Sequence, residues 1–161
     1  MFGMIKKKKD RPVYAPMSGK ILALSDVDDA AFSEKMLGDG VAILPKDNAV
    51  YSPVDGVITD VTDTKHAFCI TAEDGTELLL HIGINTVTLK GEGFQVFVSG
   101  GDHVRAGDKI ADVDLSVLSA NGLSAQTPVL LTEFERVHIV KTREGSVQGG
   151  KDVLFTYQRN E

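Results

Sequence analysis

A chain of 161 residues that is 42% hydrophobic and 25% charged has the size and composition of a single globular domain with its own core. Its formal net charge of −6 argues against nucleic acid as a partner, because binding to phosphates requires a net basic face. The single cysteine, Cys69, excludes an internal disulfide framework and any multi-cysteine metal cluster, so we expect a reducing, cytoplasmic compartment.

The N-terminus, MFGMIKKKKDR, combines apolar residues with a run of lysines. The apolar residues precede the lysines, which is the reverse of a secretory signal, and no apolar run approaches the roughly 20 residues of a membrane span. We expect residues 1–12 to form a flexible basic tail, for which weak contact with an anionic membrane surface is the alternative to full solvation. Residues 13–161 are expected to form a single domain.

From Val13 onward, short runs rich in Val, Ile and Leu are interrupted about every eight to twelve residues by Gly, Pro, Asp or Asn. This rhythm predicts an all-β fold, an antiparallel β-sandwich of barrel-like shape. Only short helical turns are expected, in DDAAFSEKM and in LSVLSANG. The predicted strands, in chain order, are residues 20–24, 40–45, 49–54, 56–61, 66–72, 77–83, 94–99, 109–114, 127–132, 137–141 and 152–157.

Two segments, APMSGKI (15–21) and SPVDGVI (52–58), share a pattern of Pro, Gly and Ile at a constant offset of 37 residues. Proline suits the start of a strand where no ladder donor is needed, and glycine suits the turn that follows. The pattern predicts an internal repeat of one hybrid motif, with a chance echo of Pro and Gly as the alternative.

One imidazole, His81, lies in the otherwise apolar stretch ELLLHIGINTV (77–87). A buried strand has no use for a group that titrates near neutral pH unless another group hydrogen-bonds to it or reacts with it. His81 therefore has either a structural partner or a chemical role.

The turn before this strand centres on Asp74 and Gly75, a strong signal for a two-residue hairpin loop. With an even-numbered loop, Phe68 faces His81, and His66 becomes a diagonal neighbour of His81 at about 7–8 Å on the same face. A three-residue loop would shift the register by one residue and send the two rings to opposite faces.

The even register also assigns the remaining residues of the hairpin to faces. Phe68, Ile70 and Leu79 would surround the two histidines, and desolvation would keep the rings neutral. Cys69 is expected to pack in the core rather than to act as a thiolate. The expected core face consists of Ala67, Cys69, Leu78, Leu80 and Ile82. His103 and His138 are interpreted as ordinary exposed residues.

The motif inventory narrows the chemistry to the histidines. The chain has no G-x-S-x-G, Walker or dinucleotide motif in the required setting, so we expect no cofactor. A histidine can itself be a nucleophile that accepts a phosphoryl group on a ring nitrogen. A second imidazole and a nearby hydroxyl, of which Thr64 is the nearest with the parity of His66, could supply donors to the phosphoryl oxygens.

The sequence resembles the glucose-type enzyme IIA family of the bacterial phosphoenolpyruvate-dependent sugar phosphotransferase system. HIGINTV followed by LKGEGF is close to a family signature, and TKHAF lies upstream as its companion. The matching stretches keep the family order over residues 15–132: APMSGKI, FSEKMLGDGVAI, SPVDGVI, TKHAF, HIGINTVTLKGEGF, GDHVRAGDKI and TPVLLT.

The resemblance implies a β-sandwich in which His81 is phosphorylated by a histidine-containing phosphocarrier protein and then donates to the cysteine of the IIB domain of a membrane sugar permease. It implies that His66 stabilises the phosphoryl group and that Thr64 hydrogen-bonds with His66. Docking to these partners would use a rim of apolar and acidic residues to which Asp29, Phe32, Phe68, Leu79 and Val87 correspond. Regulatory target proteins stay open as further partners.

The chain departs from the family pattern at three positions. Asn85 and Thr88 stand where relatives often carry acids, and Ile82 replaces a common Phe. Fewer negative charges would weaken steering toward a basic partner. The sequence therefore leaves open which phosphocarrier and which permease the protein serves.

Two other interpretations stay open from the sequence. One is a zinc-dependent hydrolase with His66 and His81 as ligands, although zinc catalysis normally uses three protein ligands and no third stands at a telling spacing. The other is a carrier or scaffold module without transfer chemistry, because P-x-x-G with GDHVRAGD also resembles biotinyl and lipoyl domains. Those domains display a modifiable lysine in a tight turn, and no such turn is present.

Overall fold

The computed structural model describes residues 9–160. The expected membrane contact of the basic tail falls on residues 1–8 and so lies outside the described residues. The first strand begins at Arg11, two residues before the expected start of the domain at residue 13.

Fourteen β-strands and two short helices make up the regular structure of the described residues. The bounds of the strands and helices, in chain order, are β1 Arg11–Tyr14, β2 Gly19–Ala23, α1 Ala30–Ser33, β3 Asp39–Pro45, β4 Ala49–Tyr51, β5 Gly56–Val61, β6 Ala67–Ala72, β7 Glu77–His81, β8 Phe94–Val96, β9 His103–Val104, β10 Lys109–Val113, α2 Leu115–Ala120, β11 Thr127–Leu131, β12 Val137–Thr142, β13 Ser146–Val147 and β14 Val153–Arg159. Short 3₁₀ turns cover Leu24–Asp26 and Thr86–Leu89.

The strands of residues 9–160 form three sheets, and neighbouring strands pair in the antiparallel sense. The largest sheet has eight strands in the order β13-β2-β3-β11-β7-β6-β5-β9, and two three-stranded sheets have the orders β1-β14-β12 and β4-β10-β8. This confirms the predicted all-β antiparallel fold with short helices. Three strands of four, two and two residues, namely β1, β9 and β13, were not predicted, because such short segments carry no clear alternation. Within residues 9–160, no helix reaches the length and apolar character of a membrane span.

The two glycines of the predicted repeat occupy equivalent places in the large sheet. Gly19 begins β2 and Gly56 begins β5. A Cβ atom added to either glycine would lie 2.1 Å from a carbonyl oxygen of the neighbouring strand, that of Leu44 or of Thr71. The repeat therefore reflects one shared constraint, a close approach of two backbones that only glycine permits.

Buried side chains form two apolar clusters on opposite faces of the large sheet. Along β3, Val41 and Ile43 belong to the main core, whereas Ala42 between them belongs to the second cluster. In β11, Leu130 likewise points away from the main core. The second cluster brings the segment from the first 3₁₀ turn to α1 onto the outer face of the sheet, and it comprises Leu24, Val27, Phe32, Ala42, Ile84 and Leu130.

The hairpin of β6 and β7 has a three-residue loop, and the predicted even-numbered loop is wrong. Ala67 lies opposite His81, which shifts the register by one residue. Residues 73–75 form the loop, and Gly75 has a φ of 87°. Gly75 thus takes the left-handed last position of a three-residue loop. The prediction had placed Asp74 and Gly75 at the two central positions of a two-residue turn.

The shifted register exchanges the predicted faces of β6, whereas Leu78, Leu80 and Ile82 lie in the main core as predicted. Cys69 is exposed on the outer face, opposite Leu79, so the prediction that it packs in the core is wrong. Phe68 and Ile70, which were expected beside the histidines, are both 0% exposed and lie in the main core. Successive side chains of a strand point to opposite faces, so one extra loop residue reverses which side chains of the paired strand face the core.

The tip of this hairpin is tied to the sheet formed by β1, β14 and β12. The hydroxyl of Tyr157 donates to Oδ2 of Asp74 at 2.9 Å, and the backbone N–H of Thr76 donates to Oδ1 at 3.0 Å. Burial, the largest cause, raises the pKa of Tyr157 to about 12, so the phenol remains a donor at neutral pH. The hairpin that carries His81 is therefore fixed at its far end.

We expect Gly56→Ala to lower the free energy of unfolding by about 2–3 kcal/mol, because the new methyl group would clash with the carbonyl oxygen of Thr71. Gly100→Ala is the matched control, since its Cβ would lie at an ordinary 3.6 Å from the carbonyl oxygen of Thr59. The control should change stability by less than about 1 kcal/mol. Urea unfolding measures both, and equal effects would contradict the close approach.

Candidate active site

The ring of His81 is held by a backbone carbonyl two residues further along the chain. Nδ1 of His81 donates to the carbonyl oxygen of Gly83 at 2.8 Å. This bond places the proton of the neutral ring on Nδ1 and leaves a lone pair on Nε2. His81 is the last residue of β7 and is partly buried.

Glycine is required at position 83 for this carbonyl to face the ring. Gly83 has a φ of 74°, and an added Cβ would lie 2.5 Å from Cγ2 of Thr86 and 3.0 Å from the carbonyl oxygen of Ser124. The hydroxyl of Thr86 donates to the carbonyl oxygen of Ile82 at 2.6 Å, which fixes the chain just after the strand. The turn thus orients the acceptor of His81.

The second imidazole, His66, lies just before β6 and is only 6% exposed. Its Nδ1 lies 2.7 Å from Oγ1 of Thr64, the hydroxyl that the resemblance assigns to it, and 3.4 Å from Oγ1 of Thr62. The backbone N–H of Ile82 donates to the carbonyl oxygen of His66 at 2.8 Å, so the residue is joined to the strand of His81.

The rings of His66 and His81 meet edge to face. Their centroids are 4.9 Å apart and their planes are inclined at 79°. The convergence was predicted, but from a register that is wrong. In the actual register, strict alternation would send the two rings to opposite faces of the hairpin. They meet because His66 precedes the first residue of β6, where alternation does not apply, and follows Lys65, whose φ of 63° turns the backbone.

Phe32 closes the other side of His81. The two ring centroids lie 5.0 Å apart, with an interplanar angle of 56°. Phe32 is carried by α1, whose first turn is capped by Asp29: Oδ1 of Asp29 accepts from the backbone N–H of Ala31 at 2.9 Å. The second apolar cluster therefore delivers both a ring and a carboxylate to the site.

Burial keeps both imidazoles neutral. Desolvation is the largest cause that lowers the pKa of His66, and the neighbouring His81 lowers it further. Desolvation also lowers the pKa of His81, although the Gly83 carbonyl and the Asp29 carboxylate act in the opposite direction. A ring with a lowered pKa is neutral at neutral pH and carries one N–H and one bare nitrogen. The bare nitrogen is available as a nucleophile.

The five predicted docking residues lie at different depths. Phe68 is 0% exposed and Phe32 is 3% exposed, so neither contributes appreciable surface in this structure. Asp29 and Leu79 are partly buried, and Val87 is 50% exposed. The accessible part of the predicted rim is therefore Val87 with portions of Asp29 and Leu79.

Two contributors to the site escaped the sequence analysis. Gly83 was recognised only as part of a motif, and its carbonyl is the hydrogen-bond partner of His81. Thr62 was not considered, although a hydroxyl four residues before His66 and another two residues before it form a repeating pattern that could have indicated both.

The residues around the two histidines do not fit the zinc interpretation. Within residues 9–160, no third His, Cys, Asp or Glu joins the two histidines in a group that could hold a metal ion. A catalytic zinc normally needs that third ligand. What the arrangement offers instead is a partly buried, neutral imidazole with one bare nitrogen, next to a second imidazole that can donate a hydrogen bond.

These features define a class of protein, a small antiparallel β-sandwich in which two histidines converge at one site. Comparison with known families gives the more specific assignment. The chain belongs to the family described as phosphoenolpyruvate-dependent sugar phosphotransferase system, EIIA 1, which matches residues 11–137.

Relatives and a solved structure support the same assignment over nearly the whole chain. The glucose-specific EIIA component of the phosphotransferase system of Haemophilus influenzae is 38% identical and covers 99% of this chain, which spans 96% of that protein. The glucose permease IIA of Mycoplasma capricolum has a TM-score of 0.89 and 40% identity, over 95% of this chain and 99% of that one. The glucose-specific EIICBA component of Staphylococcus saprophyticus is 40% identical over 92% of this chain, which corresponds to 21% of that longer protein.

The lowered pKa values of the two rings predict a pH dependence of stability. Between the lowered pKa values of the folded protein and the ordinary value of 6.5, the unfolded chain binds more protons than the folded one. The free energy of unfolding should therefore fall as the pH falls through that range. The double variant His66→Gln/His81→Gln should lose less free energy of unfolding between about pH 7.5 and 5.5 than the unmodified protein. Urea unfolding at the two pH values measures this, and equal losses would contradict it.

Proposed function

We propose that the protein is the phosphocarrier of a glucose-type sugar permease and acts in the cytoplasm. In this proposal His81 accepts a phosphoryl group from a histidine-containing phosphocarrier protein. It then passes the group to the cysteine of the permease IIB domain. Glucose is proposed because the relatives are named glucose-specific. The EIICBA relative, whose name joins C, B and A components in one chain, supports a partnership with B and C components.

The observation that carries the proposal is the hydrogen bond from Nδ1 of His81 to the carbonyl oxygen of Gly83. It makes Nε2 the only ring nitrogen with a free lone pair, so the phosphoryl group would be bound there. The bond also prevents the ring from turning over, which would present the protonated nitrogen to the donor.

The proposed reaction exchanges one bond to phosphorus for another in each of its two steps. In the first step the lone pair of Nε2 forms an N–P bond while the N–P bond of the donor phosphohistidine breaks and its electron pair returns to the donor ring. In the second step a cysteine thiolate forms an S–P bond while the N–P bond to His81 breaks. Charge in both transition states is spread over the three equatorial oxygens, so positioned donors are the main catalytic contribution.

His66 would be one of these donors, with Thr64 as its support. If the Thr64 hydroxyl donates to Nδ1 of His66 across their 2.7 Å contact, the proton of the neutral ring is on Nε2. That N–H can then donate to a phosphoryl oxygen as the group arrives at His81, because the two ring centroids lie 4.9 Å apart. Thr64 thus sets the tautomer of His66, and Gly83 sets that of His81.

We expect the two histidines to differ in their phosphoryl transfer. After incubation with phosphoenolpyruvate, the general phosphotransferase enzyme and its phosphocarrier, the unmodified protein should gain the mass of one phosphate in an acid-labile, base-stable bond. His81→Ala should gain none, because it lacks the nucleophile. His66→Gln should still accept phosphate but should donate it to a IIB domain at least about a hundredfold more slowly, since it lacks the donor imidazole.

The variants His103→Gln and His138→Gln control for loss of an imidazole as such, because both residues are exposed and lie away from the site elements. Equal loss of acceptance in His81→Ala and His66→Gln would contradict the assigned roles. Zinc-dependent hydrolysis with no gain in mass would favour the hydrolase.

Val87 is the most exposed residue of the predicted docking rim, so a charge there should disturb partner binding. We expect Val87→Asp to raise the KM for the phosphocarrier protein about tenfold. Val140→Asp is the matched control, because Val140 is 44% exposed, against 50% for Val87, but lies on β12 in another sheet. Steady-state phosphorylation rates test this, and equal KM values for the two variants would rule out a rim at Val87.

A further inference from the structure

Two threonine hydroxyls lie within hydrogen-bond distance of Nδ1 of His66. Oγ1 of Thr64 lies at 2.7 Å and Oγ1 of Thr62 lies at 3.4 Å. The resemblance and the proposed function assign a role only to Thr64. The two hydroxyls have different additional partners, and this difference indicates that they serve different protonation states of the ring.

The hydroxyl of Thr62 has two further contacts, both with the backbone of Ala67. The backbone N–H of Ala67 donates to Oγ1 of Thr62 at 3.2 Å, and Oγ1 can donate to the carbonyl oxygen of Ala67 at 3.4 Å. The backbone N–H of Thr62 donates to the same carbonyl at 3.1 Å, which closes the turn. With its proton on that carbonyl, Oγ1 keeps one lone pair free, and a hydroxyl oxygen can accept two hydrogen bonds.

Within residues 9–160, the hydroxyl of Thr64 bonds only to Nδ1 of His66, so it is free to donate to the neutral ring. When His66 becomes an imidazolium, Nδ1 acquires a proton and can no longer accept. Thr64 must then rotate its O–H away and become an acceptor, whereas Thr62 already presents a lone pair. Thr62 therefore favours the doubly protonated ring without any rearrangement.

We propose that Thr62 is a positioning residue that accepts a hydrogen bond from the Nδ1 proton of imidazolium His66 while the phosphoryl group is on His81. This proposal rests on the proposed function. The phosphoryl dianion on His81 draws a proton from bulk water onto His66, and the proton returns to water when the group leaves. The resulting imidazolium donates from Nε2 to the phosphoryl oxygens and from Nδ1 to the two threonines, which stabilises the charge that develops during transfer.

Apart from the Thr64 backbone, which raises the pKa of His66, the neighbouring groups do not supply this acceptor. From β7, the facing titratable group is the His81 ring, which disfavours a second positive charge in the unphosphorylated protein. Asp29 on the capped helix acts on His81. Asp63 and Lys65 flank His66 in the same turn and are both exposed. In the 90–93 loop, beside which the Lys65 side chain lies, Lys90 and Glu92 are exposed as well.

The test compares Thr62→Val, which removes the hydroxyl at constant shape, with Thr62→Ser, which keeps it. The tautomer and protonation of His66 are followed by ¹⁵N NMR titration of the phosphorylated and the unphosphorylated protein. In Thr62→Val we expect the pKa of His66 to fall, with a proton-binding constant about threefold to tenfold weaker because the lost contact is a long one. Thr62→Ser should titrate like the unmodified protein.

Kinetics supply a second readout that a structural role alone would not change. Donation from phosphorylated Thr62→Val to a IIB domain should be about threefold to tenfold slower near neutral pH and should recover as pH is lowered, because protonation of His66 then no longer limits it. His81 should still accept a phosphoryl group, because its own nucleophilic nitrogen is intact. Amide NMR spectra and thermal unfolding verify that each variant is folded.

Unaltered titration of His66 in Thr62→Val would overturn the proposal, and so would a Thr62→Ser variant that behaves like Thr62→Val. If the unmodified protein gains no phosphate, the proposed function fails, and the transfer role of Thr62 fails with it. In that event the titrations of the unphosphorylated variants still decide whether the Thr62 hydroxyl stabilises the imidazolium.

Discussion

The hydrogen bond between Nδ1 of His81 and the carbonyl oxygen of Gly83 is the constraint on which the chemistry of this site depends. A neutral imidazole has one protonated and one bare nitrogen, and the environment selects which nitrogen is bare. Here a backbone carbonyl makes the selection, and a carbonyl does not titrate. The left-handed turn at Gly83 holds that carbonyl in place, and the space around the turn admits no side chain. A nucleophile is thus obtained without an acidic partner side chain.

The two apolar clusters contribute differently to the site. The main core fixes β6 and β7, whose ends carry the imidazoles. The second cluster places Phe32 against the ring of His81 and brings Asp29 close enough to act on its pKa. Burial favours the neutral ring and the carboxylate favours the charged one, with burial prevailing. In the proposed function, the same ring must be neutral as a nucleophile and must then carry a strongly anionic phosphoryl group.

The β6–β7 hairpin shows how a correct conclusion can be reached from an incorrect register. The Asp-Gly signal correctly located the turn, but it is compatible with loops of two and of three residues. In the three-residue loop Asp74 accepts from the nearby Thr76 backbone and, as a tertiary contact, from the Tyr157 hydroxyl. The one-residue difference moved Cys69 to the surface and Phe68 into the core. His66 was unaffected because it lies outside the regular strand, where alternation does not apply.

The sequence by itself determined the fold class, the position of most strands and the pair of histidines with Thr64, because turn residues, alternation and a distinctive motif are local properties of the chain. The equivalence of Gly19 and Gly56 was also visible as a repeat, although its cause, the close approach of two strands, was not. Only the tertiary structure decided the face of each hairpin residue, the burial of Phe32, the tautomer of His81 and the second hydroxyl at His66. These features depend on contacts between atoms that are distant in sequence or on backbone angles at single residues. Neither leaves a periodic trace in the order of the amino acids.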